Sequence, residues 1–116
     1  MGVNMFHWKN SGNFKYLEIG SFIDKGVNAF FTSRSGGVSS GNYSTLNQGL
    51  HTQDNKKAVL KNRKITSNKL NFDFESLTCA EQVHGDKVKI VEEENKGQGN
   101  KNYLNSIKES DALLTN

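Results

Sequence analysis

The sequence contains no proline and a single cysteine, Cys79. One thiol excludes an internal disulfide framework and leaves no CxxC pair for a zinc ribbon or a dithiol redox centre, so a reducing, cytoplasmic setting is expected. Without proline, turns rest on Gly and Asn rather than on a fixed φ. Histidine is scarce: His7, His51 and His84 occur with no paired spacing, so these residues and Cys79 do not complete a tetrahedral zinc site. No stretch approaches the roughly twenty apolar residues that cross a bilayer, nor is there a charged, apolar leader, so membrane insertion and export are not expected. The charge of +3 comes from 15 Lys and Arg against 12 Asp and Glu, scattered along the chain. A dedicated nucleic-acid surface is therefore not indicated, and Lys56, Lys57, Lys61, Arg63, Lys64 and Lys69 read as a solvated helix face. Walker A, GxGxxG and G-x-S-x-G patterns are all missing.

What is present reads as a mixed α/β chain, a sheet with flanking helices, in one domain. Met5–Trp8 and Phe14–Ile19 flank the turn-rich Asn10-Ser11-Gly12-Asn13 and predict an opening hairpin. Val27–Ser33 combines β-branched and aromatic residues and predicts a third strand. Asn55–Leu70 predicts a helix capped by Asp54, with Ala58, Val59, Asn62, Ile65 and Leu70 inward and Asn62 bonding a neighbouring loop or marking an edge. Leu77–Val83 predicts a strand with Lys87–Val91 as its hairpin partner. Glu92–Asn102 predicts a surface loop, Tyr103–Lys108 a short helical or irregular piece, and Ser110–Asn116 a last strand.

Two stretches carry candidate chemistry. Residues 35–49 form a long loop dense in small residues, in which Val38, Tyr43 and Leu46 supply apolar anchors; it is expected to be ordered. Arg34 stands at its root, and its planar fork matches phosphate or carboxylate, while Gly36 and Gly37 allow close backbone approach. The second stretch is Glu81-Gln82-Val83-His84-Gly85-Asp86. At a strand end, alternation places Gln82 and His84 on one face and Cys79 on the other, and His84 offers an imidazole as metal ligand, general base or neither.

Phe31-Thr32-Ser33-Arg34-Ser35-Gly36-Gly37-Val38-Ser39, Tyr43-Ser44-Thr45-Leu46-Asn47-Gln48-Gly49, Asn62-Arg63, Gln82-Val83-His84-Gly85 and Ser110-Asp111-Ala112-Leu113-Leu114-Thr115 occur in order with compatible gaps. Together they resemble the successive motifs of the YfiH family, also called the laccase-domain or polyphenol oxidase family, over roughly residues 27–116. The resemblance implies a purine nucleoside phosphorylase acting on adenosine or inosine with phosphate, with adenosine deaminase and methylthioadenosine phosphorylase activities also described for members. It implies zinc, or copper as the alternative, held by His84 together with a cysteine and a histidine of later motifs. Cys79 does not match that later cysteine. Residues 1–116 are thus expected to be the N-terminal part of a single YfiH-like catalytic domain, truncated at the C-terminus, inactive alone and prone to self-association through an unfinished sheet. Arg34, Gly36, Gly37, Asn47 and Gln82 are the candidate substrate contacts, with purine nucleosides and phosphate as partners. Two alternatives stand beside this: a copper-dependent polyphenol oxidase, which a chain with three histidines fits less well, and a non-catalytic remnant.

Overall fold

The computed structural model describes residues 5–116. Gly12 takes φ 61 at the first turn position, where a side chain would be strained, and this lets β1 (Phe6–Ser11) fold back on β2 (Phe14–Ile19). The third strand, β3 (Phe30–Thr32), pairs antiparallel with the other side of β2 and is shorter than the expected 27–33, because Gly20–Lys25 winds into a 3-10 turn that ends at Gly26. Trp8, Leu17 and Phe31 stand opposite one another across the three strands and share a face. That face is open, with Trp8 63% and Phe31 64% exposed. On the other face Phe14 is fully buried, and Tyr16 meets Phe30 edge to face at 5.6 Å.

Helix α1 (Lys56–Leu70) starts at the expected place, but its cap is Asn55, whose side chain accepts from the Lys57 amide; Asp54 instead faces the preceding loop. Its inward face is also not the expected apolar stripe. The buried residues are Val59, Asn62, Arg63, Thr66 and Ser67, while Ala58, Ile65 and Leu70 are half-buried. Arg63 therefore leaves the solvated basic face, which keeps Lys56, Lys57, Lys61, Lys64 and Lys69.

The second sheet corrects the expected 77–91 hairpin. Leu77–Val83 forms no strand; its backbone is used locally, with the Cys79 amide donating to Gln98, the Glu81 amide to Ile107, and one bridge joining Ala80 to Ile107. Strand β4 (Val88–Ile90) pairs instead with β5 (Ala112–Leu114), in parallel, from Val88 opposite Ala112 to Ile90 opposite Leu114. The polar 92–102 segment is a series of turns rather than a free loop, and it tucks Gly99 and Asn100 into the interior. No helix among the described residues is long and apolar enough to cross a membrane.

Candidate functional site

Strand β3 leads directly to Arg34, and the loop that follows returns to it. The Arg34 carbonyl accepts from the Thr45 amide at 2.9 Å, the Leu46 amide at 3.0 Å and the Thr45 hydroxyl at 2.9 Å, while its Nε donates to the Ser44 carbonyl at 3.0 Å. These bonds leave the guanidinium exposed, and it takes part in none of the ion pairs among the described residues. Arg34, Asn42, Tyr43, Ser44, Leu46 and Asn47 line one open hollow. A cation free of carboxylate partners at the rim of an open hollow can hold an anion.

The other candidates in this loop have structural duties. At Gly37 a Cβ would lie 2.2 Å from the Thr45 carbonyl oxygen, and at Gly36, with φ 104, it would lie 2.6 Å from the Phe14 Cα. Both glycines thus let the loop press against the protein interior, and the Gly37 amide is already given to the Thr45 hydroxyl. Asn47 is similarly occupied: its Nδ2 donates to Thr52 and Asp54 at 3.0 and 3.2 Å, and its Oδ1 accepts from the Gly49 amide at 3.1 Å.

Buried polar side chains hold this loop on α1. Asn62, fully buried, accepts from the Val38 amide and donates to the Ser39 hydroxyl and the Asn47 carbonyl, each at 2.8 Å. The Ser39 hydroxyl in turn donates to the Asp54 carboxylate, and that hydrogen bond, with those from Asn47 and the Asn55 amide, holds the Asp54 carboxyl below its ordinary value. The next residue, Arg63, donates from Nε to the Gln48 carbonyl at 2.8 Å and from Nη1 to the Gly99 and Asn100 carbonyls at 2.6 and 3.0 Å. Burial lowers the Arg63 value and raises that of the neighbouring Cys79 thiol, with Arg63 opposing the second effect. Cys79 is thus a half-buried thiol packed beside Arg63.

The Q-V-H-G motif lies on a turn, not at a strand end. His84 adopts the left-handed conformation, φ 59, so strand alternation does not place it on a common face with Gln82; both residues are exposed. The turn is clasped from a distance in sequence by Asp111, whose carboxylate accepts from the Val83 amide at 3.2 Å and the Lys87 amide at 3.1 Å. Hydrogen bonds from the Gly85 amide, and also from Lys87, Val83 and His84, hold the Asp111 carboxyl below its ordinary value. Reading the sequence alone passed over Asp111, although it sits in the Ser110-Asp111-Ala112 motif.

The donors present do not fit a complete metal site. Among the described residues no three His, Cys, Asp or Glu side chains gather around one point; His7 sits beside Glu18 at 3.9 Å, and His51 stacks near Tyr103 at 5.9 Å. What the chain offers is one exposed imidazole on a fixed turn and, separately, an Arg34 hollow.

The same arrangement of chain recurs in known proteins. The structure superposes on YlmD from Geobacillus stearothermophilus with a TM-score of 0.87 at 30% identity, covering 97% of this chain and 41% of that one. It superposes equally on the Bacillus licheniformis protein YfiH, with a TM-score of 0.86 at 31% identity, covering 97% and 40%. Such agreement over nearly all of the chain gives it the mixed α/β fold of about two-fifths of the YfiH and YlmD structures. The family described as multi-copper polyphenol oxidoreductase laccase matches residues 28–116, and the chain belongs to it. In sequence it is 37% identical over 93 residues to the purine nucleoside phosphorylase YlmD of Bacillus subtilis, covering 80% of this chain and 34% of that protein. The corresponding Geobacillus stearothermophilus phosphorylase is 33% identical over 100 residues, covering 86% and 36%. The chain thus spans about a third of the length of these relatives.

Proposed function

We propose that residues 1–116 form the N-terminal part of a single catalytic domain that phosphorolyses purine nucleosides. The observation that carries this reading is the identity with relatives named purine nucleoside phosphorylase across four-fifths of the chain. In the reaction, a phosphate oxygen forms a bond to the sugar anomeric carbon as the bond to the base nitrogen breaks; the base leaves with the electron pair and takes up a proton. Arg34 suits the phosphate, because its guanidinium is exposed, lacks an ion-pair partner among the described residues and borders a hollow. His84 enters this reading as a metal ligand, and Gln82, likewise exposed, as a substrate contact. Gly36, Gly37 and Asn47 serve the site by fixing the loop that carries Arg34. Adenosine and inosine are the substrates in this reading, with adenosine deamination and methylthioadenosine phosphorolysis as further activities of the same domain.

Zinc, or copper, would take His84 as one of its ligands and supply positive charge, but the other ligands are not among these residues and no step is assigned to the ion. The family description points to a second reading, copper-dependent oxidation of phenols. The two relatives named purine nucleoside phosphorylase make phosphorolysis the better-supported reading.

The test compares the chain alone with the chain joined to the remaining part of the Geobacillus YlmD domain, each given inosine with and without phosphate. Hypoxanthine and ribose 1-phosphate are expected from the joined protein only when phosphate is present, and neither from the chain alone. Base release that ignores phosphate would sink the proposal, and oxygen uptake with a phenol that follows copper loading would favour the second reading.

A further inference from the structure

Asp111 belongs to a motif to which the phosphorolysis reading gives no role, yet the turn carrying His84 depends on it. Apart from the strand pairing that begins at Val88, the hydrogen bonds of the Val83–Lys87 segment all run to two residues, Asp111 and Ala112, among the described residues. The Val83 and Lys87 amides donate to the Asp111 carboxylate at 3.2 and 3.1 Å, and the Lys87 carbonyl accepts from the Asp111 and Ala112 amides at 2.8 and 3.1 Å. Between those anchors His84 holds φ 59, a conformation that its Cβ disfavours and that glycine would adopt freely. Left alone, a histidine there relaxes toward ordinary extended or helical backbone, and the imidazole swings with it.

We propose that Asp111 is the positioning residue of His84: its carboxylate gathers the amides of the Val83–Lys87 turn and thereby keeps the imidazole pointed in one direction. A carboxylate suits the task because it is an acceptor on every lone pair and meets several N–H groups at once; an amide presents one acceptor oxygen and an NH2 group that opposes the rest. Asp111 also stands next to Ala112, the first residue of β5, so the same side chain ties the turn to the register of the parallel pair. Both of its oxygens are engaged by backbone amides, so Asp111 acts through His84. The catalytic importance of this positioning rests on the reading that His84 serves phosphorolysis.

The experiment uses the isotope-labelled chain and compares wild type with Asp111→Ala and Asp111→Asn by nuclear magnetic resonance. In Asp111→Ala the Val83 and Lys87 amides are expected to exchange with solvent about tenfold faster or more, and the His84 Cα and Cβ shifts to leave left-handed values, while α1 keeps its protection. Asp111→Asn, which keeps the shape and one acceptor, should fall between the two. Unchanged His84 shifts and unchanged amide protection in both variants would overturn the proposal. In the joined protein, the same substitutions should lower kcat more than they raise KM, and His84→Ala should lower kcat at least as far. If Asp111→Ala frees the turn while His84→Ala leaves phosphorolysis unchanged, the positioning stands and the role of His84 in the reaction falls.

Discussion

The Arg34 loop and the His84 turn are both irregular backbone, yet they are fixed in opposite ways. The loop is held from within, by Asn62 and Arg63, whose side chains are almost wholly buried and whose hydrogen bonds reach Val38, Ser39, Asn47 and Gln48. The turn is held nearer the surface, by one half-buried carboxylate and by the Asp111 and Ala112 amides on the Lys87 carbonyl. Buried polar groups lose much when a partner is removed, because no water replaces it, whereas an acceptor within reach of water can be replaced by solvent at small cost. The difference separates stability from geometry: damage to the loop should unfold the protein, and damage to the turn should mainly misdirect one side chain.

Four measurements bear on that contrast. Asn62→Ala removes three hydrogen bonds and opens a cavity at a fully buried position, and should cost about 4 kcal/mol in denaturant unfolding. A loss under about 1 kcal/mol would show that the loop is not pinned from within. Gly37→Ala should cost about 3 kcal/mol, because the new methyl group meets the Thr45 and Leu46 backbone and the Asn62 side chain together.

A smaller effect is expected from acid. The Asp54 carboxyl lies below its ordinary value, so its contribution is full above the unfolded-state value and is lost as the pH falls through the folded-state value. Thermal melts of wild type should therefore decline below about pH 4, and Asp54→Asn should flatten that decline. An identical acid profile in the variant would show that the Ser39 and Asn47 bonds do not favour the charged form. The smallest effect should come from the turn, where His84→Gly relieves a left-handed φ and should raise stability by about 0.5 kcal/mol while removing the imidazole. A loss of stability instead would mean that the histidine side chain helps to hold the turn.

How much the sequence disclosed also divides along these lines. Gly12 between two aromatic-bearing runs announced the hairpin, and the 15-residue helix announced itself through its Lys and Ala content, although its cap is Asn55 rather than the expected Asp54. Val59 and Asn62 were legible as inward, Asn62 with its bond to a neighbouring loop, whereas Arg63 looked like surface until the loop carbonyls that satisfy it are in place. Leu77–Val83 looked like a strand by composition, but its amides had partners at Gln98 and Ile107 that no local pattern could reveal. His84 was visible as a candidate through its motif, whereas the conformation that presents it depends on a carboxylate 28 residues beyond Val83.

That separation has a consequence for the order in which the chain assembles. The hairpin and the helix close through near neighbours, while the His84 turn is closed by contacts spanning 24 and 28 residues. Loop-closure entropy must be met before such contacts return anything, so distant closures form late. On a ribosome, the histidine would therefore emerge into an unformed turn and take its final direction only after the segment containing Asp111 had followed it and docked beside β4.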